Sequence, residues 1–323
     1  MKYELLATLG PSSQSEAVWQ AMLDAGVTAF RLNTSHLSLE QLEAWLERLE
    51  RFTPGSQVKP TLVLDLQGSK WRLGECEACQ LEAGDMVELV YGEIAQEGRL
   101  PVPHADFFHA AVLSDSEIVL NDARVRLAVQ ESTAERIQAR VSLGGPVAAY
   151  KGITFTASEF RKEALNEKDQ AILSQTRGNP AIRYAISYVK DTIEMGRYRA
   201  LFGEGAYLAA KLERQPALEQ ARQIAEAADE VWLCRGDLGA ELGQKKMAEA
   251  VYRFSADLKT FPCPTYLAGQ VLEHMVEYLT PTRSEVCYLY EALQKGYAGV
   301  VLSDETAVGG YPVESCRVAA QFR

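Results

Sequence analysis

Two patterns alternate along the first third of the chain. Short apolar runs, YELLATLG, TAFRLN and TLVLDL, predict strands. Between them, SEAVWQAMLDAGV and LEQLEAWLERLERF place apolar residues at spacings of three and four, which predicts helices. The Asp-Ala-Gly that ends the first helix reads as a C-cap. From about Gly74 to about Val147 the period drops to two. LEAGDMVELVYG, DSEIVLNDARVRLAV and ERIQARVSLGG alternate polar and apolar residues and carry Gly or Asn-Asp turns, which predicts antiparallel strands. The first rhythm then returns. NEKDQAILSQTRG reads as a helix, and AIRYAISYV, GAYLAAKLE, EVWLCRGD, PTYLAGQ and AGVVLSDET read as strands with helices between them.

Three strands before the interruption and five after it make eight, alternating with helices. That is the pattern of an α/β chain folded as a (β/α)8 TIM barrel, with a small antiparallel β domain inserted after strand three. The boundaries expected are 1–73 for the first part of the barrel, 74–149 for the insertion and 150–323 for the rest of the barrel.

Composition narrows the function classes. The 323 residues are 47% hydrophobic and 24% charged, with a formal charge of -11. A chain this acidic is poorly suited to nucleic acid, where affinity comes from neutralising phosphates. No 18-residue apolar run is present, so no membrane span is expected. MKYELLATLG is too short and too polar to be a signal peptide, which argues for a cytoplasmic location. Cys76 and Cys79 form a C-x-x-C pair, but no second pair of zinc ligands lies at suitable spacing, so all six cysteines are expected to be reduced.

Barrels of this kind carry their chemistry at the C-terminal ends of the strands. Strand two ends in Arg31, Asn33, Ser35 and His36, and strand three in Asp65, followed by Lys70 and Arg72. Ser187 and Lys190 follow strand four, Lys211 and Glu213 close strand five, and Arg235 and Asp237 close strand six. Gly269 and Gln270 follow strand seven; Ser303, Glu305 and Thr306 follow strand eight. Lys211 and Glu213 are two apart, so both face the same side. Two carboxylates with few other protein ligands, Glu213 and Asp237, suit Mg2+, which keeps waters and accepts substrate oxygens. Lys211 beside them is a cation for charge that develops during reaction. Arg31 and Arg72 offer planar sets of donors suited to phosphate. These residues point to a Mg2+-assisted enzyme acting on an anionic, phosphorylated substrate.

Several motifs resemble the pyruvate kinase family over nearly the whole length. ATLGPSS resembles its opening strand and turn, and RLNTSH its R-L-N-F-S-H. GITF…ALNEKD resembles the re-entry into the barrel. KLER resembles K-I-E-N, RGDLGAEL resembles R-G-D-L-G-x-E, PTRSEV resembles P-T-R-A-E-V, and LSDETAVGGYP resembles L-S-G-E-T-A-x-G-x-Y-P. The resemblance implies transfer of a phosphoryl group from phosphoenolpyruvate to ADP, giving pyruvate and ATP. It implies that Glu213 and Asp237 hold Mg2+ or Mn2+ and that Lys211 stabilises the phosphoryl group in flight. It implies that Arg31 and Arg72 contact phosphates, that the Arg235–Gly236–Asp237 backbone cradles the substrate carboxylate, and that Lys151 reaches the nucleotide. His36 joins this ligand-binding set.

The departures from the family pattern carry expectations too. Most members have D-T-K-G-P-E-I-R after strand three and need K+, which lies near the equivalents of Asn33, Ser35 and Asp65. This chain has Leu66, Gln67 and Lys70 where the family has threonine, lysine and glutamate. The triple change resembles the family's K+-independent branch and implies that K+ is not required, the Lys70 ammonium supplying the charge. Gly269 replaces a threonine whose hydroxyl is implied in protonating the enolate. Arg214 replaces an asparagine. The sequence stops in the helix after strand eight, so the family's C-terminal regulatory domain, with control by sugar phosphates, is not expected. Barrel faces freed of that domain are candidates for contacts in a homo-oligomer. Two alternatives stay open at this point. One is a Mg2+-dependent enolate enzyme, or a kinase acting on a different small oxo or hydroxy acid. The other is a non-catalytic paralogue.

Overall fold

The structure is a computed structural model that describes residues 2–55, 59–95, 98–113, 117–121, 124–155 and 165–323. Asp122 of the Asn-Asp turn and Ala164 of the ALNEKD motif fall outside them. Two compact units make up the chain. One comprises Met1–Gln67, Leu165–Arg235 and Ala250–Arg323; the other comprises Gly68–Ala164 and Gly236–Glu249.

The first unit is the closed parallel barrel. Its strands are β1 (Glu4–Thr8), β2 (Ala29–Asn33), β3 (Thr61–Leu66), β4 (Ile182–Ile186), β5 (Tyr207–Leu212), β6 (Glu230–Cys234), β7 (Thr265–Ala268) and β8 (Gly299–Leu302). Each pairs with the next, and β1 pairs with β8 from Glu4↔Gly299 to Ala7↔Leu302. All eight expected strands are present. Local chemistry fixes the helices between them. Ser15 caps Glu16–Asp24 by accepting from the Val18 amide, and Gly26, at φ +107°, ends that turn in the left-handed region where glycine is favoured. Leu39–Arg51 opens with a capping box between Ser38 and Gln41 and closes with Arg48 and Arg51 in its last turn, where cations meet the helix dipole. The PTRSEV motif is in part another capping box: Thr282 and Glu285 bond each other's amides at the start of Arg283–Lys295.

Side chains on alternate strand positions fill the lumen. Leu6, Ala29, Val63, Ala185, Ala209, Trp232, Tyr266 and Val301 form one buried cluster across it. Small residues on β2, β4 and β5 make room for the two large rings on β6 and β7.

The second unit holds a six-stranded sheet, ordered Ile153–Phe155, Ile118–Leu120, Val125–Ser132, Arg136–Leu143, Met86–Tyr91, Leu100–Val102. A two-stranded ladder joins Cys79–Leu81 to Gly145–Val147. The antiparallel expectation holds for every pair but one: Met86–Tyr91 and Leu100–Val102 run parallel. Between these two strands the chain bridges to Glu75, the Glu75 amide donating to the Glu93 carbonyl and the Ala95 amide to the Glu75 carbonyl. The sequence reading also lacked a helix, Ala105–Leu113, which presents Phe107 and Phe108 to the core of this unit. Phe107 stacks on Phe155 at 4.7 Å and meets the edge of Trp71 at 5.3 Å.

Candidate active site

The barrel's polar site follows from strand periodicity. Thr8, Arg31, Asp65, Ser187 and Lys211 each stand two residues beyond a lumen-filling residue: Leu6, Ala29, Val63, Ala185 and Ala209. Period two keeps them on the same face, one layer nearer the C-terminal rim. Asp65 is the hub. Its Oδ2 receives Arg31 Nε at 2.8 Å and Nη2 at 2.6 Å, while its Oδ1 receives Lys211 Nζ at 3.0 Å and Ser187 Oγ at 3.2 Å. Arg31 Nη1 donates to Thr8 Oγ1 at 2.7 Å. Lys211 also meets Ser187 Oγ at 2.8 Å and Glu213 Oε1 at 3.0 Å. The other Glu213 oxygen accepts the Tyr188 amide at 2.8 Å.

These groups are buried: Arg31 is 7% exposed, Lys211 8%, Asp65 1% and Glu213 1%. Burial without partners would neutralise them. Burial alone would push the Lys211 ammonium down, but the Asp65 and Glu213 carboxylates outweigh it and hold that pKa well above the ordinary lysine value. Burial alone would raise Asp65, but Lys211 and Arg31 outweigh it and hold the carboxylate below its usual range. The layer therefore contains two cations and two carboxylates, with Lys211 and Asp65 held ionised.

The turn after β7 is gripped from two sides. The Arg235 guanidinium donates to the Gly269 carbonyl at 2.6 and 3.1 Å and to the Gln270 carbonyl at 2.8 Å. The buried Glu305 carboxylate accepts the amides of Val271 at 3.1 Å, Leu272 at 2.9 Å and Ser303 at 2.7 Å. Gly269 and Gln270 both have positive φ, +81° and +53°. A threonine in place of Gly269 would be strained by about 1–2 kcal/mol.

The remaining expected residues are placed as follows. Asn33 caps the short turn Thr34–His36 by accepting the Ser35 amide at 3.3 Å; Ser35 is buried and His36 exposed. Arg214 is fully buried, with Nη1 donating to the Tyr188 carbonyl at 3.4 Å. In the second unit, Arg72 donates through Nη1 to the Tyr150 carbonyl at 2.8 Å, and its amide donates to His104 Nε2 at 3.1 Å. Lys151 is half-buried, and its carbonyl accepts the Leu73 amide. Asp237 lies in the first turn of the helix Arg235–Leu242, just after Gly236, and forms an ion pair with Lys70. Thr8 is absent from the expected site. Its signal was available, because it sits two residues past Leu6 as Arg31 does past Ala29.

Among the described residues no group of three or more His, Cys, Asp or Glu side chains forms a metal centre, and none of the six cysteines is in a disulfide. Glu213 and Asp237 are each a hard oxygen donor held beside a lysine ammonium. Each by itself is the kind of hard donor that a divalent ion accepts.

A family model described as the pyruvate kinase barrel domain matches residues 1–316. A pyruvate kinase of Aeropyrum pernix is 31% identical over 99% of this chain and 69% of its own length. One from Agrobacterium vitis is 30% identical over 99% of this chain and 68% of its own length. The crystal structure of a pyruvate kinase from Cryptosporidium parvum superposes with a TM-score of 0.82, covering 99% of this chain and 68% of that one, at 22% identity, a likeness of fold.

Proposed function

The chain belongs to the pyruvate kinase family, and from that membership we propose that it transfers the phosphoryl group of phosphoenolpyruvate to ADP, giving pyruvate and ATP. The observation that carries the reading is Lys211: a buried ammonium held charged between Asp65 and Glu213, with Ser187 fixing its third direction. A cation so positioned needs no reorganisation when charge moves onto the transferred phosphoryl oxygens. Asp65 positions Lys211 and Arg31 together, and Arg31 presents its remaining donor surface to phosphate. Glu213 and Asp237 are the proposed holders of Mg2+ or Mn2+, which when bound would offset the negative charge of substrate oxygens. The backbone after Arg235 is proposed to receive the substrate carboxylate, with Arg72, Lys151 and His36 serving the phosphates and nucleotide. Gly269 offers no hydroxyl, so water is proposed to protonate the enolate carbon.

We further propose that turnover ignores K+. The Asp65 carboxylate is already engaged by two cations, and Leu66 has no hydroxyl to offer. Family membership leaves the enolate-enzyme, other-acid and non-catalytic readings without support of their own. Pyruvate formation from phosphoenolpyruvate, ADP and Mg2+ tests the reading. Turnover is expected, changing less than about twofold on adding K+. Absence of turnover with both ligands shown to bind would overturn it.

Among the described residues no helix is long and apolar enough to cross a membrane.

A further inference from the structure

Lys70 lies where the chain leaves for the inserted sheet, and its partner is unexpected. The ammonium forms an ion pair with Asp237 Oδ1, and both side chains are largely buried, 8% and 16% exposed. The stem reaches Asp237 by crossing the strand that returns from the insertion. That strand is tied to the outgoing one by Leu73 N to the Lys151 carbonyl at 3.0 Å and Ile153 N to the Trp71 carbonyl at 3.1 Å. At the crossing stands Gly152: a Cβ there would lie 2.6 Å from Lys70 Cε and 3.1 Å from Nζ. The clearance for Lys70 is thus the missing side chain of Gly152, whose φ lies outside the left-handed region.

We propose that Lys70 is a resident cation on Asp237 that a divalent ion must displace, with Gly152 as the clearance that lets it sit there. The inference rests on Asp237 being a metal ligand. A monovalent ammonium and a divalent ion cannot share one carboxylate without mutual repulsion in a partly buried site. The lysine stem is long and flexible enough to swing away without moving the backbone. Lys70 is therefore a positioning residue with two states. With the metal absent, it keeps Asp237 neutralised and pins the root of the insertion. With the metal bound, it is released from Asp237, so occupancy of the metal site is felt at the two strands that carry the insertion.

The test is a titration with Mn2+ alone, followed by the loss of free-ion electron paramagnetic resonance signal, on the intact chain without substrates. K70M removes the competing charge, and G152A pushes the same charge aside without altering it. Both are expected to bind Mn2+ at least about fivefold more tightly than the parent chain, in the range of ordinary coupling between two binding events. D237N is expected to lose the binding. Unchanged or weaker binding in K70M and G152A, with D237N still abolishing it, overturns the displacement and leaves the metal assignment standing. Binding that survives D237N overturns the metal assignment and the displacement with it. If K70M does not fold, as judged by near-UV circular dichroism, G152A alone decides.

Discussion

The barrel lumen has a polar layer at each end, and the two are built differently. Near the C-terminal rim, Arg31 and Lys211 face Asp65 and Glu213, two cations for two carboxylates. At the N-terminal end, the positions two residues before the lumen-filling cluster carry Glu4, Arg183, Tyr207 and Glu230. There one guanidinium serves two carboxylates: Arg183 Nη1 lies 2.9 Å from Glu4 and 3.3 Å from Glu230. Glu230 also accepts from Tyr207 Oη at 3.0 Å and from Trp232 Nε1. Burial pushes Glu230 up to about 7, and the nearby Glu4 carboxylate adds to this against the pull of its donors. Equal burial therefore gives opposite outcomes. Where charges balance, Asp65 stays ionised; where a carboxylate is left over, Glu230 moves towards the neutral acid. The balance of charge, rather than depth, decides which layer can present a permanent field to a substrate.

The contrast can be broken, most drastically at its centre. K211M should lower pyruvate formation by at least about 100- to 1000-fold and destabilise the fold by about 3–5 kcal/mol, because Asp65 and Glu213 lose a shared cation. Turnover and denaturant melts read the two effects separately. D65N should cost a similar ~3–5 kcal/mol, by removing the carboxylate that Arg31 and Lys211 share. The matching neutralisation at the other end, E230Q, should have the opposite sign. At pH 8 it should stabilise by about 1–2 kcal/mol, since it replaces a carboxylate that is ionised there against its preference.

The pH dependence sharpens the same point. Glu230 takes up its proton at about 7 in the folded chain, against 4.5 for an ordinary glutamate. Between these values the native state binds more protons than the unfolded chain, so stability is full below 4.5 and falls as pH rises through 7. The loss is of the order of 3 kcal/mol. Melts of the parent chain from pH 5 to 8 should show this fall, and E230Q should flatten it. The smallest effect is at the turn after β7. G269T should cost about 1–2 kcal/mol for a β-branched residue at φ +81°. If the proposed water step limits turnover, the same change should raise kcat.

Much of the barrel was legible in the sequence because its signals are local. Each strand is a short apolar run, several helices carry their own side-chain caps at Ser15, Ser38, Asn166, Asp191 and Thr282, and period two places Arg31, Asp65 and Lys211 on the lumen face. The partners of those side chains were less legible. That Lys70 reaches Asp237, or that Arg235 turns to the Gly269 carbonyl, depends on side-chain paths between distant segments, which no periodicity encodes. The N-terminal polar layer was overlooked for another reason. Attention to strand ends selects one rim, while Glu4, Arg183 and Glu230 stand at strand beginnings. In the insertion, ADFFHAAVL is apolar nearly all round, so it lacks the single stripe that marks a surface helix. The parallel pair was hidden because direction depends on the path of the intervening chain.

The pairing of β1 with β8 also governs timing on the ribosome. A cylinder sealed by its first and last strands cannot close until Gly299–Leu302 has left the exit tunnel, long after Glu4–Thr8. Arg31 and Asp65, synthesised early, lack Lys211 until β5 emerges, and the hydrogen bond from Thr8 Oγ1 to the Leu302 carbonyl at 2.7 Å has no acceptor until β8 does. The inserted sheet, whose six strands all lie between Met86 and Phe155, has no such wait. The nascent protein is therefore expected to gain protease resistance in its middle before its beginning, with the seam between β1 and β8 closed last.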